Sequence, residues 1–163
     1  MKHTKSLYLV RHAKAASDNW GSSDKARELT EKGVEDADRL GEKLFKRQTQ
    51  IDLILCSGAA RTQATAHRIA KHLGYPKQAI LVDESLYSSS ASHLLECIKS
   101  TSSSVRSLML VGHNPELSQL ARSFSGEILE MRPCALVQIE FDAPSWSDID
   151  QSKTRLIAHE KCT

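Results

Sequence analysis

Long apolar runs are missing from this 163-residue sequence: the longest uninterrupted stretch is four residues, far short of the ~20 that span a bilayer. No transmembrane helix is expected. Cysteine is scarce as well. Cys56, Cys97, Cys134 and Cys162 are too few and too scattered for a disulfide scaffold, and no pair has the spacing of a zinc knuckle. Reduced thiols in or near the core are expected, and no metal. An excess of charge is also lacking. The 22 Lys and Arg against 20 Asp and Glu leave +2, so no global field exists to hold a nucleic-acid backbone or an anionic membrane, and any anion must be bound locally. Met1-Lys2-His3-Thr4-Lys5 is basic like a leader peptide, but the apolar stretch behind it is interrupted at Arg11 and His12, which leaves the cytoplasm as the expected location. No internal repeat of fixed period is visible.

What is present is ordinary globular composition, 40% hydrophobic and 26% charged, at a length that fits one domain over residues 1–163. Strand-like and helix-like segments alternate. Residues 7–10, 51–56, 79–82 and 108–111 are short apolar runs of the kind that form buried strands. Between them, Val34, Ala37, Leu40, Leu44 and Phe45 recur at helical spacing over 31–47, with Thr30 placed to cap. A second helix is expected over 60–73, with Ala64, Ile69, Ala70 and Leu73 inward and Gly74 stopping it. Leu94, Leu95 and Ile98 mark a small helix among serines. Asn114-Pro115 reads as a cap followed by proline at the first helical position, with Leu117, Leu120, Ala121 and Phe124 on the inner face. Ala135, Val137, Ile139 and Phe141 alternate with polar residues as a half-exposed strand does, and a last strand is expected around 155–158, across a loop holding Trp146. This order implies an α/β fold: three layers, a mostly parallel sheet flanked by helices on both faces, with the two late strands able to add an antiparallel edge.

In such folds ligands bind at the carboxyl ends of the strands. The first strand ends in Arg11-His12, the second in Ser57 followed by Arg61, and the fourth in Gly112-His113-Asn114. Taken singly, each is an ordinary polar loop residue; together they bring two arginines and two histidines to one rim. Two guanidinium groups offer permanently charged, two-pronged donors to a phosphoryl group. An imidazole beside them can attack phosphorus and carry the group covalently. The neighbouring positive charge keeps that imidazole neutral, and the second histidine can donate to the equatorial oxygens. His67 and His72 lie five residues apart on a helix, not the four that align two ligands, and together with His3, His93 and His159 they read as structural or solvated.

Three segments carry a family resemblance: Leu9-Val10-Arg11-His12-Ala13, then Cys56-Ser57-Gly58-Ala59-Ala60-Arg61-Thr62, then Val111-Gly112-His113-Asn114-Pro115. They resemble the signature segments of the histidine phosphatase superfamily, and more narrowly its short phosphohistidine phosphatases, the SixA-like group; Arg27-Glu28-Leu29-Thr30 with Gly33 fits that group as well. The resemblance implies His12 as nucleophile, with Arg11, Arg61 and His113 forming the phosphate pocket. It also implies a phosphate contact from Ser57 and a substrate-rim position for Arg27. No cofactor is implied, and the expected partner is a protein carrying phosphohistidine. Ala13 stands where the wider superfamily commonly has glycine. Many larger members carry a glutamate proton donor after the third strand, whereas Leu86-Tyr87-Ser88-Ser89-Ser90 has none, which leaves Glu84 as the nearby candidate.

Two other readings compete with a metal-independent histidine phosphatase. A cysteine-dependent phosphatase would use Cys56, but its loop needs five residues between cysteine and arginine, and four separate Cys56 from Arg61. A module that binds phosphoprotein without turnover is the third, suggested by the missing acid.

Overall fold

The computed structural model describes residues 3–17 and 23–161; Cys162 lies outside the described residues. Strands and helices come in the order β1 (Thr4–Arg11), α1 (Glu31–Lys46), β2 (Leu53–Cys56), α2 (Ala60–Leu73), β3 (Leu81–Val82), α3 (Ala91–Lys99), β4 (Ser107–Gly112), α4 (Glu116–Ser125), β5 (Leu136–Asp142) and β6 (Thr154–Glu160). They build one six-stranded sheet in the order β3-β2-β4-β1-β5-β6. The four strands from β3 to β1 run parallel. β5 pairs antiparallel with β1, and β6 antiparallel with β5, which supplies the expected antiparallel edge.

The sheet is covered on both faces, as the alternation of side chains along each central strand requires. Leu7, Leu9, Leu108, Leu110, Val137, Ile139 and Phe141 point into one core with Leu94 and Ile98 of α3, Leu117, Leu120 and Phe124 of α4, and Trp146. Tyr8, Val10, Met109, Val111, Ile54 and Cys56 point into the other, with Ala37, Leu40 and Leu44 of α1 and Ala66, Ile69 and Ala70 of α2.

Four sequence expectations change in detail. Phe45 is 64% exposed, because the buried arc of α1 runs through Gly33, Asp36, Ala37, Leu40, Gly41 and Leu44 and Phe45 falls one step beyond it. In α2 the inward alanine is Ala66 rather than Ala64, since the buried arc passes through Thr62, Thr65, Ala66, Ile69 and Ala70; threonine hydroxyls there return hydrogen bonds to backbone carbonyls. β3 shrinks to two residues because 77–79 form a 3₁₀ turn. α4 begins at Glu116, with Pro115 at the cap position behind a cis Asn114–Pro115 bond. Asn114 nevertheless caps the helix from one residue earlier, its Oδ1 accepting from the Ser118 N–H at 3.2 Å. Thr30 caps α1 as expected, accepting from the Gly33 N–H, and Gly74 closes α2 in the left-handed conformation.

Register places the ends of the three central strands level. Arg11 pairs with Gly112 and Cys56 with Val111, so His12, Ser57 and His113 each begin the turn that leaves the sheet at the same height. Gly33 helps to hold the first of these turns. It lies under the Lys14 carbonyl so closely that a Cβ would stand 2.2 Å from that oxygen, and Thr30 N–H donates to the same oxygen at 2.9 Å.

Candidate active site

A cavity of about 300 Å³ opens at this level, and its lining includes Arg11, His12, Asp24, Arg27, Arg61, Tyr87, His113 and Glu116. Four of these are the residues that the strand ends were expected to deliver. His12 and His113 sit on the floor, each 8% exposed, with ring centroids 5.4 Å apart. The His12 turn is fixed by backbone. His12 N–H donates to Gly112 O, and Ala13 N–H donates to Thr65 Oγ1 of α2 at 2.9 Å.

These contacts also decide the tautomer of His12. Its Nδ1 lies 2.7 Å from the carbonyl of Ala13, and a carbonyl only accepts, so Nδ1 carries the hydrogen and the lone pair belongs to Nε2. Burial pushes the His12 pKa down from 6.5 to about 3; the Ala13 bond opposes this, while Arg61, His113 and Arg11 add to it. The imidazole is neutral at physiological pH, as expected, though desolvation rather than neighbouring charge is the first cause.

His113 is held differently. Its Nε2 is 2.7 Å from Ser57 Oγ, and Ser57 is fully buried. Thr62 Oγ1 donates to a backbone carbonyl, so the Ser57 hydroxyl at 2.7 Å from it donates to Thr62 and accepts from His113. His113 Nδ1 then offers a lone pair toward Arg61 Nη2 at 3.5 Å. Burial and then Arg61 lower its pKa to about 4, with Asp24 opposing. Ser57 is absent from the cavity lining; the structure places it behind His113, where it sets the tautomer.

The arginines supply the positive charge. Arg11 Nη1 donates to Met131 O at 3.1 Å, and Arg61 Nη1 and Nη2 donate to Asp24 O and Oδ2 at 2.8 and 3.1 Å. The Nε–H groups of both guanidiniums are buried without a hydrogen-bond partner. A buried donor left unpaired costs free energy, and the two guanidiniums line the same cavity as a neutral imidazole, an arrangement that suits an anion with several acceptor oxygens. Arg27 lies on the rim, its Nε donating to Ala16 O and Nη1 to Asp24 Oδ1.

Three titratable lining residues are not marked as site residues by the sequence. Asp24 accepts from Tyr87 Oη at 2.6 Å, from Arg27 and from Arg61, and these bonds, Tyr87 first, hold its carboxyl well below the usual range. Tyr87 packs edge-on against His113. Glu116, in the first turn of α4, is half-buried and has its carboxyl pKa raised by desolvation, against a bond from its own backbone N–H. Asp24 opens a single 3₁₀ turn and Tyr87 closes another, too short for any periodicity, so no local signal marks them; Glu116 comes directly after the His113-Asn114-Pro115 segment and looks like an ordinary helix start.

Glu84 is not brought into the cavity. It pairs with Lys25 at the surface and sits over Gly58. Cys56 is fully buried on the α1–α2 side of the sheet, and burial, then Glu84, pushes its thiol up to about 12. Among the described residues, no group of three or more His, Cys, Asp or Glu is arranged to hold a metal ion, and no helix is long and apolar enough to cross a membrane.

Residues 7–87 match the model of the histidine phosphatase superfamily, branch 1. An uncharacterised protein of Mycobacterium tuberculosis is 30% identical over 158 residues, covering 91% of this chain and 96% of its own. A solved structure from Agrobacterium tumefaciens, assigned to the phosphohistidine phosphatase SixA, is 29% identical with a TM-score of 0.82, over 96% of this chain and 97% of that one. Another SixA structure, from Nakamurella multipartitia, shares the fold at 21% identity and a TM-score of 0.81, covering 96% and 95%.

Proposed function

The chain belongs to branch 1 of the histidine phosphatase superfamily and is a phosphatase; on that premise we propose that it removes phosphate from phosphohistidine in a protein, through a phosphohistidine formed on His12. The observation that carries this reading is the His12 tautomer. With Nδ1–H held on the Ala13 carbonyl, the Nε2 lone pair is free to attack phosphorus, and depressed basicity keeps it free. The phosphoryl oxygens meet the guanidiniums of Arg11 and Arg61, which line the cavity. His113 joins them once the incoming phosphate, a nearby negative charge, raises its basicity and places a proton on Nδ1.

In the first step the His12 Nε2–P bond forms and the substrate's P–N bond breaks, the departing imidazole taking up one proton. In the second, water attacks phosphorus, the P–Nε2 bond breaks and inorganic phosphate leaves. No metal enters this scheme, because two guanidiniums already offer the charge that a metal would bring to the oxygens. The likeness to the Agrobacterium structure supports phosphohistidine as the substrate, and the half-exposed rim of Arg27, Tyr87 and Asn114 suits a side chain presented by a macromolecule. The test is turnover of a phosphohistidine peptide with and without EDTA. The reading expects hydrolysis that EDTA leaves intact and that His12→Ala abolishes; binding without turnover, or activity restored only by a divalent metal, would overturn it.

A further inference from the structure

Resting on that reading, we propose that Glu116 is the acid that protonates the leaving group. Attack from His12 on the cavity floor drives the departing atom toward the mouth, since an in-line displacement expels its leaving group opposite the nucleophile. Two carboxyl groups line the cavity, Asp24 and Glu116. Asp24 is unfit as a donor: Tyr87, Arg27 and Arg61 all donate to it and keep it ionised. Among the described residues, Glu116 forms no ion pair with Arg11, Arg27 or Arg61, which line the same cavity, and it is half-buried. It stands at the amino end of α4, where the helix dipole favours the charged form; desolvation outweighs this and raises its pKa. It therefore holds a proton to higher pH than an exposed glutamate and can deliver it without breaking a bond to a cation.

The proton balance closes over the two steps. As the substrate's P–N or P–O bond breaks, Glu116 passes its proton to the departing nitrogen or oxygen. Its carboxylate then takes a proton from the water that attacks the phosphohistidine, and the enzyme returns to its starting state. The other charged or titratable groups facing this cavity are Arg11, His12, Asp24, Arg27, Arg61, Tyr87 and His113. In the free site the two histidines lose their protons at lower pH than usual and Tyr87 at higher, so the part of an alkaline decline in kcat/KM that disappears in Glu116→Gln belongs to Glu116.

The test compares wild type and Glu116→Gln on aryl phosphates of graded leaving-group acidity and on an alkyl phosphate. Glu116→Gln is expected to lower kcat/KM by ~10²-fold or more on the alkyl ester and by less than ~10-fold on p-nitrophenyl phosphate, which leaves without help. The dependence on leaving-group acidity should steepen, and the alkaline decline should flatten. Glu116→Asp should recover part of the loss, and unchanged thermal unfolding shows that Glu116→Gln is folded. An unchanged dependence on leaving group and pH in Glu116→Gln overturns the proposal, while labelled phosphate trapped on His12 in that same variant shows that the reading beneath it stands.

Discussion

The two ends of the central strands use polar groups in opposite ways. At the amino end the buried Lys5 and Ser107 are satisfied. Lys5 Nζ donates to Ser103 O at 2.6 Å. Ser107 Oγ donates to Gln50 O and accepts from the Asp52 N–H, and Asp52 Oδ2 accepts from the N–H groups of Arg106 and Ser107. At the carboxyl end, on the same sheet, two guanidinium Nε–H groups lack partners and two imidazoles are held neutral at a cost in basicity. One end is closed and contributes stability; the other is left unfinished for a ligand to complete.

Substitutions should separate these ends. The largest effect is expected from Arg61→Lys, which replaces a two-pronged donor by a point charge; kcat should fall roughly a hundredfold or more, by analogy with removing one preorganised donor, with thermal unfolding little changed. At the other end, Ser107→Ala leaves the Gln50 carbonyl without its hydroxyl donor and takes one acceptor from the Asp52 N–H. Chemical denaturation should show a loss of about 1–3 kcal/mol, and kcat/KM should be unaltered. If Ser107→Ala impaired catalysis as much as stability, the division would fail.

A smaller effect concerns acid. In the unfolded chain His12 and His113 take up protons near the ordinary value of 6.5, whereas in the fold they do so only near 3 and 4. Their contribution to stability is thus complete above 6.5 and is lost as pH falls from there toward 4 and 3. Denaturant midpoints measured at about pH 7.5 and about pH 5 should differ more in wild type than in His12→Ala, which lacks one of the two titrations. The smallest effect is expected from Cys56→Ser, which should leave the reaction running, since the thiol lies in the core and outside the cavity.

Much of this site was legible in the sequence because it hangs on strand ends. Residues 7–10, 53–56 and 108–111 are apolar runs bounded by polar residues, and register brings the residues just past them to one level. His12, Arg61 and His113 could be placed without any knowledge of side-chain contacts. Asp24 could not, because its position depends on long-range bonds to Arg61 and Tyr87. Ser57 shows the same limit: a serine after a strand reads as a ligand contact, and only the packing of Thr62 and His113 around it turns it inward. Glu116 and Glu84 are alike as letters near a motif. Burial at the cavity for one and an ion pair with Lys25 for the other separate them, and neither is written in local spacing.

The most direct test of the central claim is to trap the covalent intermediate. Rapid quenching with labelled substrate, followed by peptide mapping, should find an acid-labile, alkali-stable phosphate on His12 in the wild type and none in His12→Ala. Steady turnover in His12→Ala, or phosphate mapped to Cys56 or another side chain, would contradict the account.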